Sequence, residues 1–116
     1  MAHSSNHKDI AIQYLEHFCK GETEALAALI HDDFSFSGPF ISFDSKEGYI
    51  ASLMEDPPRN YSIEILNAFA EGDDVALFYN FSKPGISTPM AQVFKFNNDK
   101  ICASLLIFDT RVFQKQ

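Results

Sequence analysis

His31-Asp32-Asp33-Phe34-Ser35-Phe36-Ser37-Gly38-Pro39 joins two halves of the chain that read differently. Two carboxylates stand where a helix should end, a place where such residues are usually solvated or capping. From Asp33 to Ser37 apolar and small polar residues then alternate, so Phe34 and Phe36 share one face of a short strand and Ser35 and Ser37 the other. Gly38-Pro39 stops the run.

The side N-terminal to this stretch is helical. Residues 1–7 are polar, lack the apolar centre of a signal peptide, and read as a short disordered arm. The single domain then covers residues 8–116. Asn6 can cap a first helix on which Ile10, Ala11, Tyr14, Leu15, Phe18 and Cys19 recur at helical spacing. Gly21 ends it. Glu22 and Glu24 favour the start of a second short helix, with Ala25, Leu26, Leu29 and Ile30 as its buried face.

Beyond the quoted stretch, Phe40 to Phe43 reads as irregular. A third helix is expected from Asp44, with Asp44-x-x-Glu47 as a variant capping box and Pro57-Pro58 as its stop. The rest alternates as strands: Tyr61 to Ala70, Val75 to Ser82, Thr88 to Phe96 and Ile101 to Phe108, with turns at Glu71-Gly72-Asp73-Asp74, Pro84-Gly85 and Asn97-Asn98-Asp99. The pattern predicts an α+β domain, an antiparallel sheet with helices packed on one face.

Composition narrows the function classes. Twelve phenylalanines and no tryptophan in 116 residues supply either a thick core or the wall of an apolar cavity. Nine basic residues against sixteen acidic ones give a formal charge of −7, with no basic block, which argues against nucleic acid and an anionic membrane surface as partners. No apolar run approaches the ~18–20 residues of a membrane span. Cys19 and Cys102 lie far apart and read as reduced residues of a cytoplasmic protein. His3, His7, His17 and His31 lack metal-ligand spacing, and no phosphate-binding or dinucleotide-binding glycine pattern is present. No metal or other cofactor is expected.

Three stretches carry a resemblance. Tyr14-Leu15-x-x-Phe18, followed by Lys20-Gly21-Glu22-x-Glu24-Ala25-Leu26, resembles the first helical hairpin of the nuclear-transport-factor-2-like superfamily. The run Leu29-Ile30-His31-Asp32-Asp33-Phe34-x-Phe36-x-Gly38-Pro39 resembles its passage from helix to strand, and Phe108-Asp109-Thr110-Arg111-Val112-Phe113 is similar to the close of the last strand in SnoaL-like members. The resemblance implies a cone: a curved antiparallel sheet wrapped around an N-terminal helix layer, a cystatin-like α+β barrel with an apolar pocket open at one end. It also implies a homodimer formed through the sheet.

Placed on the ketosteroid isomerase branch, Tyr14 falls at the oxyanion-hole tyrosine and Gln92 at the second oxyanion donor, where the isomerase has a protonated aspartic acid. A phenol in an apolar pocket is a strong donor to developing charge, since no water competes for it. The plainer reading of Tyr14 is a core tyrosine bonded to a backbone carbonyl. Gln92 shares its strand face with Phe94 and Phe96, and an amide among aromatics requires a partner. Gly38 falls where the general-base aspartate stands, and glycine accepts no proton, so the isomerase reaction is not expected. Asp109 is the remaining candidate acid or base, with an ion pair to Arg111 as the alternative. Phe34, Phe36, Phe94 and Phe108 are the candidate ligand-binding wall. The activities left open are a cyclase, an isomerase or a hydrolase on a small hydrophobic molecule, or a module that binds or dimerises without catalysis.

Overall fold

The computed structural model describes residues 3–113. Helix α1 spans His3–Lys20. The arm expected over residues 1–7 is therefore corrected from His3 onward; Met1 and Ala2 lie outside the described residues. The reason is visible at His7, which is 3% exposed, stacks on Phe96 at 4.1 Å and sets Nε2 3.1 Å from an Asp99 carboxylate oxygen. That packing holds His7 in the fold rather than in an arm.

Gly21 ends α1 as expected. Its φ of +71° lets its own amide donate to the Phe18 carbonyl at 3.1 Å and that of Glu22 to the His17 carbonyl at 2.9 Å, the paired bonds of a Schellman cap. Helix α2, Thr23–Ala27, is shorter than predicted because the sheet claims the residues that follow. The Ile101 amide donates to the Leu29 carbonyl at 3.0 Å, and Ile30 pairs with Ile101.

Strand β1 accordingly runs Ile30–Ser37 and contains Asp32 and Asp33, which do not close a helix. They stand in an irregularity where β1 advances five residues while its neighbour advances two. His31 stabilises that bulge locally, its Nδ1 accepting the Asp33 amide at 3.0 Å in place of a ladder bond. Within the segment expected to be irregular, Ser42–Phe43 forms a short β2 against β1. Helix α3, Lys46–Glu55, is capped by Ser45 rather than Asp44: Ser45 is extended, and its hydroxyl accepts the Gly48 amide at 3.0 Å.

Strands β3 (Ser62–Glu71), β4 (Asp74–Lys83), β5 (Ile86–Asn97) and β6 (Lys100–Phe108) form the meander, followed by a 3-10 turn, Thr110–Phe113. Asn98 and Asp99 both have positive φ, as a two-residue hairpin turn requires. The sheet is open, six-stranded and ordered β2-β1-β6-β5-β4-β3. It is mixed, because β1 and β6 pair in parallel while the other neighbours are antiparallel. That follows from the connectivity: β3 starts antiparallel to β1, and three reversals bring β6 back to the direction of β1. Pro89 is tolerated inside β5 because pairing to β6 begins only at Met90.

The core lies between the helices and the inner face of the sheet. Val75, Leu77, Tyr79 and Phe81 on β4 and Met90, Gln92, Phe94 and Phe96 on β5 are buried there, facing α1 residues Ala11, Tyr14 and Leu15. The fold is the α+β cone expected from the resemblance. Among the described residues no helix is long and apolar enough to cross a membrane.

Candidate functional site

A cavity of about 530 Å³ opens between α1, the 38–41 loop and the inner face of the sheet. Its volume lies in the range of small-molecule sites. All four tyrosines of the chain, Tyr14, Tyr49, Tyr61 and Tyr79, line it, together with Gln92 and a predominantly apolar remainder. Helix α1 contributes Tyr14 and Cys19 from the face whose helical spacing was read from the sequence, and α3 contributes Tyr49.

Two hydrogen-bonded groups form the buried floor. The Tyr14 and Tyr49 hydroxyls bond to each other, either one donating. Tyr49 is held by rings on three sides, with centroids at 5.0 Å to Phe34, 5.4 Å to Phe36 and 5.7 Å to Phe43. Tyr14 meets the edge of Phe94 at 5.3 Å. In the second group the Tyr79 hydroxyl donates to Gln92 Oε1 at 2.8 Å, and Gln92 Nε2 donates to Ser104 Oγ at 2.7 Å. The amide that required a partner thus has one at each end.

Burial holds these phenols neutral. The Tyr14 hydroxyl is pushed well above the ordinary tyrosine range, first by burial and then by the neighbouring Tyr49. Tyr49 and Tyr79 are also pushed up, again mainly by burial. The Cys19 thiol, on the same wall, is raised to about 11 by burial and by Glu16, so it is no thiolate nucleophile at neutral pH. The sign of the linkage is fixed: a phenol whose folded pKa exceeds its unfolded value of 10.0 stabilises the fold fully below pH 10, and that contribution is lost as pH rises beyond it. In an alkaline titration, tyrosinate absorbance from Tyr14, Tyr49 and Tyr79 should therefore appear together with loss of the far-ultraviolet dichroism. Smooth ionisation of all tyrosines near pH 10 in a folded chain would contradict the buried floor.

Of the residues singled out from the sequence, Tyr14, Gln92, Phe36 and Phe108 line the cavity. Phe34 and Phe94 do not: both are 0% exposed and stand one layer behind, Phe34 against Tyr49 and Phe94 against Tyr14. Tyr14 finds a hydroxyl rather than the backbone carbonyl of its plainer reading. Gly38 does line the cavity, so the position matched to the isomerase base is on the wall without an acceptor. Asp109 does not line it. Arg111 grips both Asp109 oxygens, Nε at 3.0 and 3.3 Å and Nη2 at 2.7 Å. That guanidinium holds the Asp109 carboxyl down at about 2, the wrong direction for an acid or base working near neutrality. His17 pairs with Glu22 at 2.7 Å and does not line the cavity.

A family model for the SnoaL-like domain matches residues 11–104. The chain belongs to the SnoaL-like family. Solved structures agree with that assignment at the level of fold. An NTF2-like protein of unknown function from Cytophaga hutchinsonii ATCC 33406 superposes with a TM-score of 0.79 and 19% identity, covering 93% of this chain and 95% of that one. An LEH-like epoxide hydrolase from M. tuberculosis gives 0.82 and 14%, covering 95% and 87%. A protein from Shewanella putrefaciens CN-32 that carries the name SnoaL-like polyketide cyclase gives 0.79 and 15%, covering 92% and 82%. A comparison with curated proteins finds no match.

Sequence reasoning missed three residues of this SnoaL-like domain's floor. Tyr49 was legible as an inward position of a helix, but not as the partner of Tyr14. Tyr79 alternates with Leu77 and Phe81, which gives its face, and Ser104 reads as an ordinary small residue. Only the pairing of β5 with β4 and β6, Leu77 beside Gln92 and Gln92 beside Leu106, brings these polar atoms to one level of the sheet.

Proposed function

We propose that this SnoaL-like domain binds a small hydrophobic molecule in the cone, its polar group turned towards the Tyr14–Tyr49 hydroxyl pair. The observation that carries the reading is a mainly apolar cavity whose buried end carries paired hydroxyls and a bonded amide. A neutral phenol donates to a carbonyl or hydroxyl oxygen, and the surrounding rings exclude the water that would compete. Among the described residues no carboxylate or histidine lines the cavity, which favours binding over acid–base catalysis. The second reading, a cyclase, isomerase or hydrolase, keeps only the tyrosine donors in its support. Ketosteroid isomerase activity is not expected, since Gly38 supplies no base.

The chain has no tryptophan and every tyrosine lines the cavity, so tyrosine fluorescence reports on this site alone. Mass spectrometry of the protein purified without denaturant should reveal a copurifying hydrophobic molecule, and its return to the stripped protein should change that fluorescence. A Δ5-3-ketosteroid should bind without conversion. Conversion that is lost in Tyr14→Phe would sink the binding-only reading and restore a base to the wall.

The homodimer belongs to the same proposal. Phe69, Phe78, Leu105 and Ile107 are exposed on the outer face of the sheet, and Phe78, Ala91 and Ile107 are aligned across three strands. An apolar row of this kind fits a second copy of the same face. Light scattering should give twice the chain mass for the native protein and a monomer for Phe78→Asp; a native monomer would end this part. The free cysteines support a cytoplasmic location, which cell fractionation tests.

A further inference from the structure

Among the described residues Lys83 is the only charged one lining the cavity, in a chain with sixteen acidic residues and nine basic ones. It stands at the end of β4, at the open side of the cone. Its Nζ lies 5.7 Å from the Tyr61 ring centroid and 5.4 Å from that of Phe113. Phe113 in turn meets Phe40 at 6.2 Å and Phe108 at 5.1 Å, so the ammonium is set into an aromatic rim. Two other lysines have carboxylates, Lys95 with Asp74 at 3.2 Å and Lys46 with Asp32 at 3.8 Å, and Lys100 donates to the Ala28 carbonyl at 3.2 Å. Among the described residues no carboxylate pairs with Lys83.

A cavity wall with no carboxylate and one cation among the described residues presents a defined electrostatic pattern. Ring faces hold the ammonium by cation–π attraction without neutralising it, and they limit its access to water. A compact point charge on a flexible stem can then take one anionic oxygen of a ligand that emerges between the rings. At the other end the neutral phenols and the amide repel no neutral body.

We infer that the ligand is an amphiphilic carboxylate, its carboxylate on Lys83 at the rim and its apolar body inside the cone, carrying at the buried end the neutral oxygen that the Tyr14–Tyr49 pair takes. This rests on the binding role proposed above and adds the chemical class and the orientation. Lys83 is thereby the specificity-determining residue, since it separates an acid from a neutral molecule of the same shape.

Decanoate and 1-decanol, titrated separately and followed by tyrosine fluorescence, test this. The native protein should bind decanoate about fivefold more tightly than 1-decanol, the upper end for a partly exposed ion pair. The margin should shrink as salt is raised. Lys83→Gln should abolish the preference by weakening decanoate alone, leaving 1-decanol unchanged, and Lys83→Arg should retain it. Equal affinity for the two compounds in the native protein, or a preference that survives Lys83→Gln, overturns the inference while leaving the apolar binding site standing. Binding of neither compound overturns both.

Discussion

Phe94→Ala should lower folding stability by about 3–5 kcal/mol, as expected for a fully buried aromatic truncated in a close-packed core. Phe94 is 0% exposed, edges the Tyr14 ring at 5.3 Å and pairs across the ladder with Val75 on β4 and Ser104 on β6. Its removal takes away transfer energy and leaves a void beneath the floor of the cavity, which neighbours fixed in the central strands cannot fill. Phe108→Ala should cost only about 1 kcal/mol, because that ring lies on the wall with solvent or ligand on one side. The ordering for ligand binding is the reverse: Phe108→Ala should weaken it in a protein that still folds. Urea unfolding followed by circular dichroism measures the first pair of effects, and titration by tyrosine fluorescence the second. Similar stability losses for the two variants would mean that the wall and the layer behind it are not distinct.

The contrast between these phenylalanines marks how far sequence reasoning reached. Alternation assigns a residue to a face of a strand, and Phe34, Phe36 and Phe94 do lie on the inner one. It does not give depth, which depends on what packs on top. Phe34 is covered by Tyr49 from α3, whereas Phe36, two residues on, reaches the cavity. The same limit explains Asp32 and Asp33. Read locally they close a helix, but the parallel pairing of β1 with β6 draws Ile30 into the sheet across seventy residues of chain and leaves them in a bulge. Turns and the Gly21 stop fared better because they are local: Gly21, Pro84-Gly85 and Asn98-Asp99 each act where their chemistry predicts, whereas Asn6 and Asp44 do not cap their helices. Gly38 lines the cavity, and its reading as the place of a missing base rests on the resemblance. A carboxylate would not simply slot in there, since a Cβ on Gly38 would meet the Phe36 ring at 3.1 Å.

Gln92→Leu is the sharpest test of the floor itself. It should destabilise the protein by about 2–4 kcal/mol although leucine is close in size and far less polar. Gln92, Tyr79 and Ser104 are all buried, at 2%, 3% and 4% exposure, and the amide is acceptor to one hydroxyl and donor to the other. Leucine leaves the Tyr79 hydroxyl without its acceptor and Ser104 Oγ without its donor, both out of reach of bulk water. The cost therefore comes from the two stranded partners and not from the loss of the amide. If so, adding Tyr79→Phe and Ser104→Ala to Gln92→Leu should recover most of the stability, to within about 1 kcal/mol of the native protein, because an apolar floor strands nothing. The three single losses would then sum to well over the loss of the triple variant. Additive losses, measured by urea unfolding of the singles and the triple, would show that the three groups do not act as one network. In the triple variant the Tyr14–Tyr49 pair is untouched, so ligand affinity that survives there assigns the polar contact to that pair, and affinity that disappears assigns it to Gln92.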